Sequence, residues 1–256
     1  MKKYESLFRP SALMFLVTVT IVAFYSISNS PPHARSSQEL AESRQSPRIQ
    51  IRNQSGSPLA ILSAKGSGAT SNVPQVELVV VNKATQPILA YTIRYQTLSS
   101  HSKGGGMELT NANSVDSLLQ PGYTASKTIG EGTAYSDPIR KIVVSVDFVE
   151  LVDGSTWGPD EYKSSERLAG QRAGAHQAIE HLKNMLSRNG PLAVVQSIEE
   201  GLREIVPPTG HSLEWLNGFD GGVGTIRERL RAAYSKGGAD VIESELRRPF
   251  DASDRR

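Results

Sequence analysis

Hydrophobic and polar positions follow two different patterns along the chain. Between residues 47 and 157 the apolar residues form short runs or alternate with polar ones, as in VELVVVN (76–82), ILAYTIRYQ (88–96) and KIVVSVDFVELV (141–152). Gly, Pro and Asn separate these runs. Closely spaced strands without helices between them are typical of an antiparallel β-sandwich. The pattern therefore predicts a β-sandwich domain over residues 47–158.

Turn residues predict how the strands connect. NKATQP (82–87) lies between two apolar runs and predicts either a hairpin or a corner between two sheets. The Pro-Gly pair of LLQPG (118–122) predicts a turn into a further strand. SHSKGGG (100–106) is so rich in glycine that we predict a mobile loop there.

The stretch DFVELVDGSTWGPDE (147–161) ends the β region and is rich in carboxylates. Asp153 and Gly154 predict a hairpin with a type I′ turn, which needs positive φ at both central positions. On the returning strand we expect Trp157 to bury against the sandwich core. We expect Asp160 to begin and cap the first helix.

Two other interpretations of this stretch stay open. Trp157 is a candidate ligand-stacking platform, and Asp153, Asp160 and Glu161 are a candidate calcium site, although their spacing matches no calcium loop.

Asp147 and Glu150 are an odd number of residues apart on one strand. Strand alternation predicts that they point to opposite faces and cannot act as a pair.

After residue 158 the apolar spacing becomes helical. The stripe of the first predicted helix, over 160–188, has spacings of 7, 4, 3 and 4 residues and consists of Leu168, Ala175, Ile179, Leu182 and Leu186. Asn-Gly-Pro at 189–191 ends this helix. Further helices are predicted over 192–205, 224–238 and 239–248, and GFDGGVG (218–224) is predicted to be a loop between helices. The predicted fold class is therefore α+β, with a helical region over 159–256.

The N-terminus predicts a membrane-directing segment over residues 1–28. Lys2, Lys3 and Arg9 precede the uncharged residues 11–28, and the strongly apolar part is 16 residues long, between a signal-peptide core and a full span. We favour an uncleaved anchor in the cytoplasmic membrane; the alternative is a secreted or periplasmic protein after signal cleavage. Either way the rest of the chain is expected outside the cytoplasm. Residues 29–46 are rich in Ser and Pro and predict a flexible linker.

Charge and cysteine content exclude several classes of function. The chain has 28 Lys and Arg and 26 Asp and Glu, and without the four charges of residues 1–28 each sign numbers 25. A neutral external part argues against nucleic-acid binding, which needs a positive excess. The chain has no cysteine, which excludes disulfides, thiolate nucleophiles and the acylated cysteine of a lipoprotein.

One family resemblance follows from the strand connections. The run ending in Asn82, the connection NKATQP, the run beginning at Ile88 and the later LLQPG resemble the B to C corner and the Pro-Gly turn of immunoglobulin-like or fibronectin-like domains in bacterial envelope proteins. This resemblance implies an immunoglobulin-like sandwich. The cysteine pair and tryptophan spacing of true immunoglobulin domains are absent. The DGSTWGPD joint with its helical tail is also similar to uncharacterised bacterial proteins, from which no functional residue can be transferred.

No catalytic motif emerges from the residue spacing. His176 and His181 are five residues apart on a predicted helix, about 140° around its axis, so they do not share a face as zinc ligands must. GSTWG lacks the strand-to-helix context of a nucleophile elbow. We therefore predict no catalytic, cofactor-binding or metal-binding residue, and no cofactor.

The function favoured by the sequence is a membrane-tethered, extracytoplasmic interaction module whose partner is another envelope protein. The first alternative is a hydrolase whose carboxylates come from distant segments. The second is a carbohydrate-binding module that uses Trp157, Tyr123 and Tyr135, although only 6% of the residues are aromatic.

Overall fold

The alternating segments form eight β-strands. The computed structural model describes residues 47–67, 75–111, 118–130 and 139–250; the predicted membrane segment, the predicted linker and Tyr135 lie outside them. The strands are β1 (Arg48–Arg52), β2 (Leu59–Ser67), β3 (Gln75–Asn82), β4 (Ile88–Leu98), β5 (Lys103–Asn111), β6 (Thr124–Gly130), β7 (Lys141–Leu151) and β8 (Thr156–Trp157).

The strands pair into two sheets. Sheet A has the order β1-β7-β4-β5, with β8 also paired to β7, and sheet B has the order β2-β3-β6. All pairs are antiparallel except β1, which runs parallel to β7. Because β3 belongs to sheet B and β4 to sheet A, residues 83–87 form a corner between sheets, the second of the two predicted connections. The Asn82 side chain holds this corner by donating to the carbonyl oxygens of Gln86 and Leu119, both at 2.8 Å.

Alternate residues of both sheets contribute to one hydrophobic cluster. Its buried members from sheet B include Leu59, Ile61, Val76, Leu78, Val80 and Ile129, and those from sheet A include Tyr91, Ile93, Tyr95, Ile142, Val144, Val146 and Val149. The two sheets therefore pack against each other and bury alternate residues of their strands between them.

The glycine-rich segment after β4 is a strand, so the prediction of a loop over 100–106 is wrong from Lys103 onward. Gly104, Gly105 and Gly106 lie in β5 and pair with Thr97, Gln96 and Tyr95. A Cβ on Gly106 would lie 2.7 Å from the Tyr95 hydroxyl oxygen. Gly106 is thus required by the close approach of the tyrosine ring, and Gly105 by that of the Tyr95 carbonyl oxygen. Cross-strand pairing outweighs the low strand propensity of these glycines.

The C-terminal part is helical and confirms the α+β class. The helices are α1 (Ser164–Asn189), α2 (Pro191–Glu200), α3 (Leu213–Gly237) and α4 (Ile242–Arg247), with a 3-10 turn at Gly238–Val241 before α4. Helix α2 ends five residues earlier than predicted, since Gly201 and Leu202 both have positive φ. Leu202 and Ile205 nevertheless bury in the helical core.

GFDGGVG is not a loop, because helix α3 begins at Leu213 and passes through it. Gly218 faces the backbone of Arg167, and Gly222 faces the backbone of Gln171 and Ala175. A Cβ at either position would overlap a carbonyl oxygen of α1. Contacting residue numbers rise together on the two helices, so α1 and α3 run parallel in close backbone contact. This contact stabilises a helix that glycine propensity alone opposes.

Within the described part of the chain, none of the helices has the length and hydropathy of a membrane span.

Candidate functional site

The acidic stretch after β7 begins with a tight hairpin that contains Asp153 and Gly154. The Leu151 amide donates to the Ser155 carbonyl oxygen at 3.0 Å, and the Gly154 amide donates to the Leu151 carbonyl oxygen at 2.9 Å. Gly154 has a φ of 86°, whereas Asp153 does not have positive φ. The hairpin is therefore a three-residue turn with a left-handed glycine, and the predicted type I′ turn is wrong.

The Asp153 side chain explains this turn geometry. Its Oδ1 accepts from the Ser155 amide at 2.8 Å and from the Ser155 hydroxyl at 2.6 Å. Its Oδ2 accepts from the side-chain Nε2 of Gln86 at 2.8 Å, which ties the hairpin to the corner between the sheets. Both carboxylate oxygens are thus engaged by donors of the same chain.

Trp157 lies on β8 opposite Val149 and is half-buried. Its indole packs against the hydrophobic cluster shared by the two sheets. Gly158 follows with a φ of 116°, and a Cβ there would overlap the Asp147 carbonyl oxygen. The tryptophan therefore covers an end of the core and does not stand free as a stacking platform.

Asp160 caps helix α1 from a position four residues before its first residue. Its Oδ1 accepts from the Ser164 amide at 2.6 Å, and its Oδ2 accepts from the Ser165 amide at 3.3 Å and from the Ser165 hydroxyl. Lys163, directly before the helix, makes no side-chain capping bond. The Asp160 carboxylate thus satisfies amides that the helix cannot satisfy itself.

Asp147 is fully buried, and its placement corrects the expected strand alternation. Phe148 lies opposite Thr92 and Val146 lies opposite Ile93, so Asp147 occupies a β-bulge without a partner in the register. Its carboxylate accepts from the amides of Glu161 and Tyr162 at 3.3 and 3.2 Å.

Glu150 also turns towards the helical part, where it accepts from Arg172 Nη2 at 2.8 Å. The prediction that Asp147 and Glu150 point in opposite directions is therefore wrong, because the bulge shifts the alternation between them. Since their donors are different and separate, the two carboxylates still do not form a catalytic pair.

Further polar contacts join sheet A to the start of α1. Arg94 forms an ion pair with Glu161, and its Nε donates to Ser145 Oγ at 2.9 Å. Thr92 Oγ1 donates to Ser164 Oγ at 2.7 Å, and both residues are buried. We call these contacts, together with those of Asp147, Asp160 and Glu150, the sheet–helix joint. Apart from the Asp160 cap, spacing arguments could not find the joint, since the partners of its other bonds are 14 to 72 residues apart.

The chemistry of the joint is that of a structural connection. Asp153, Asp160 and Glu161 each bond to a different donor, so they do not converge as calcium ligands would. In the described ranges, no group of three or more His, Asp or Glu side chains could hold a metal ion.

A second polar cluster, which the sequence did not predict, lies between α1 and α2. Glu204 Oε1 accepts from Ser197 Oγ and lies 3.0 Å from His181 Nε2. Burial of the carboxylate opposes ionisation, but the hydrogen bonds from Ser197, from the Glu204 backbone amide and from His181 outweigh it and hold the pKa of Glu204 below its usual range. The Glu204 carboxylate lies between the Ser197 hydroxyl and the His181 imidazole. His181 therefore cannot take a proton directly from Ser197, as the histidine of a hydrolase triad takes the proton of its serine.

Comparisons with known proteins add little to this geometry. No protein-family model matches the chain, and no curated protein is significantly similar to it. One similar crystal structure is that of a hypothetical protein from Peptoclostridium difficile 630, with 11% sequence identity and a TM-score of 0.29. The match covers 43% of this chain and 91% of the other.

Proposed function

We propose that the chain is a membrane-tethered, extracytoplasmic interaction module without enzymatic activity, in which an immunoglobulin-like sandwich carries a helical tail. The strand order supports the sandwich: β2, β3 and β6 form one sheet and β1, β4, β5, β7 and β8 the other, with the corner at residues 83–87 crossing between them. The internal bonding of the sheet–helix joint supports a structural role for its carboxylates.

Exposed aliphatic side chains in the helical tail carry the proposal of a protein partner. Leu192, Val206 and Leu213 are 72%, 66% and 70% exposed. Val206 lies in the segment that connects α2 to α3, and Leu213 is the first residue of α3. His211, at the end of the segment, stacks on Trp215 of α3 with a ring separation of 3.7 Å. The tryptophan supports a partner surface here, because tryptophan is enriched among the anchors of protein interfaces. The partner is another envelope protein.

Site-specific photo-crosslinking in intact cells tests this proposal. A photoreactive amino acid at Leu213 should give a discrete higher-mass adduct that contains a second envelope protein. The matched control is Lys236, which is exposed near the other end of α3. The absence of an adduct from Leu213, or the same adducts from both positions, would contradict a specific partner surface.

Cell fractionation tests the tether. The full chain should be recovered with the cytoplasmic membrane, and sequencing of the mature N-terminus decides between the anchor and a cleaved signal. Recovery in the soluble cytoplasmic fraction would refute the proposed location.

The two alternatives have no supporting observation in the described residues. Trp157 is packed on the core, and Tyr123 is the exposed aromatic residue at the Pro-Gly turn, with 68% exposure. Trp157 and Tyr123 do not form a row of aromatic side chains on which a sugar could stack. The hydrolase would need two neighbouring carboxylates free to act on a substrate, whereas those of the joint are bonded within the chain.

A further inference from the structure

One end of sheet A carries cations in a row across its four strands. The register places Arg48 opposite Lys141, Lys141 opposite Leu98, and Leu98 opposite Lys103. Residues directly opposite each other direct their side chains to the same face of a sheet. This row spans roughly 14 Å, because neighbouring strands are about 4.8 Å apart.

The next rows place further cations on the same face. Two rows inward, Arg52 lies opposite Ser145, which lies opposite Arg94. The bond from Arg94 Nε to Ser145 Oγ, at 2.9 Å, shows that these side chains share a face. Ile49 and Ile51, at the intervening positions of β1, pack on the core instead. The outer face of sheet A thus presents Arg48, Arg52, Arg94, Lys103 and Lys141, which we call the basic face.

Among the described strand residues, the basic face has no carboxylate of its own. The outermost row, the row of Arg94 and the row between them, which consists of Gln50, Val143, Gln96 and Gly105, contain no Asp or Glu. Arg48, Arg52 and Lys103 are exposed, and Lys141 is half-exposed. Only Arg94, in the row nearest to the helices, has an ion pair with a carboxylate of the described chain, that of Glu161. Like charges on directly opposite positions repel each other, so an anion bound there would be favourable.

The other half of the same face is different in character. Ala90, Phe148 and Leu109 pack there against Leu168 of α1, and Glu150 is paired with Arg172. Helix α1 therefore covers one half of the outer face and does not extend over the basic half. Although the chain after residue 28 has equal numbers of basic and acidic residues, this balance does not exclude a local anion-binding surface.

The position of the basic face relative to the N-terminus suggests its partner. Arg48, in the outermost row, is the first residue of β1, and residues 29–47 separate it from the proposed membrane segment. These 19 residues can span at most roughly 70 Å even when fully extended. The basic face is thus held at a high effective concentration near a lipid surface.

We propose that the basic face docks on the anionic phospholipid headgroups of the membrane in which the chain is anchored. This inference rests on the proposed tether. Lys and Arg side chains next to an anionic membrane surface are attracted electrostatically, and the attraction falls off within a Debye length. Docking orients the module: the end of sheet A with Arg48, Lys103 and Lys141 faces the membrane, and the exposed residues of the helical tail are held at a fixed angle to it.

A lysine footprint on the full chain tests the docking. The protein is reconstituted into phosphatidylcholine vesicles and into otherwise identical vesicles that contain phosphatidylglycerol, and lysine acetylation is quantified by mass spectrometry. Acetylation of Lys103 and Lys141 should fall several-fold in the anionic vesicles and recover in 1 M salt, where the Debye length is about 3 Å. Lys183 and Lys236, exposed on α1 and α3, should react equally in both.

Charge-matched variants sharpen the test. Arg48→Gln with Arg52→Gln should reduce the protection of Lys103 and Lys141, while Lys183→Gln with Lys236→Gln should leave it unchanged. All four positions are exposed, so circular dichroism should show the parent fold.

The outcomes separate the docking from the tether. If the chain does not float with phosphatidylcholine vesicles, the tether is wrong and the docking is overturned with it. If it floats but Lys103 and Lys141 react equally in both vesicle types, only the docking is overturned. Equal protection by inorganic phosphate, DNA or polyglutamate in phosphatidylcholine vesicles would assign the face to a soluble anion and also overturn the proposal.

Discussion

Two adjacent glycines in α3 should respond in opposite directions to the same substitution. Gly221 is exposed, and a Cβ there meets no atom within 4 Å. Gly222 is buried, and a Cβ there would overlap the Gln171 carbonyl oxygen and lie 2.8 Å from the Ala175 nitrogen. Both are interior helix positions, where alanine is favoured over glycine by about 1 kcal/mol.

The expected changes in unfolding free energy follow from this difference. In Gly221→Ala the only change is the higher helix propensity of alanine, which should stabilise the protein by about 0.5 to 1 kcal/mol. Gly222→Ala gains the same propensity but forces two helix backbones apart. Overpacking typically costs 1 to 3 kcal/mol, and a backbone obstacle places this case near about 3, so the net destabilisation should be about 2 kcal/mol.

Thermal unfolding of the full chain in mild detergent, followed by far-UV circular dichroism, measures both variants. For a domain of this size each kcal/mol shifts Tm by about 2 to 4 °C, so Gly222→Ala should lower Tm by about 4 to 8 °C. Gly221→Ala should raise Tm by about 1 to 4 °C. Equal shifts, or stabilisation by both variants, would refute the close parallel packing of α1 and α3.

Four further predictions concern the joint and the acidic clusters. Trp157→Ala should destabilise the protein by about 2 to 3 kcal/mol in chemical denaturation. This is less than for a fully buried indole, because Trp157 is half-buried. A variant that unfolds like the parent protein but loses a ligand would make Trp157 a binding residue. Asp160→Ala should cost about 1 kcal/mol through loss of the cap, and an unchanged denaturation midpoint would contradict the capping role. The pKa of Glu204 is lower in the folded protein than in the unfolded chain, so the ionised carboxylate stabilises the fold above the unfolded pKa. This stabilisation is lost as the pH falls through the folded pKa. The difference in unfolding free energy between the parent and Glu204→Gln should therefore shrink on acidification below pH 4.5. EDTA should leave Tm unchanged, and a drop of more than a few degrees would reveal a metal site.

Sequence periodicity predicted those elements in which local preference and tertiary packing agree. The alternating runs at β3, β4 and β7 and the stripe of α1 formed as strands and a helix near the expected bounds. The missed elements, β5 and the first half of α3, both contain clustered glycines. There the stabilising contact is with Tyr95 in one case and with the backbone of Arg167 and Gln171 in the other. A single sequence does not reveal which distant group approaches a glycine.

The joint could be predicted only in part for a related reason. Turn and capping preferences predicted a hairpin at Asp153 and Gly154 and a cap at Asp160, because these depend on neighbouring residues. The roles of Asp147 and Glu150 depend on a bulge in the β4–β7 register, and a bulge inverts the alternation on which the prediction relied. The donors Arg94 and Arg172 come from other elements, and no local spacing marks them.

The parallel pairing of β1 with β7 determines the order in which sheet A can form. In the described chain β1 pairs only with residues 141–145 of β7, more than 90 residues further along. β7 lies between β1 and β4 in sheet A. A central strand of the sheet is therefore the last of its long strands to be synthesised. Closing so long a loop costs chain entropy before any contact compensates it, and such topologies fold slowly. Strand β1 can therefore complete its strand pairing only after nearly the whole β region has left the ribosome.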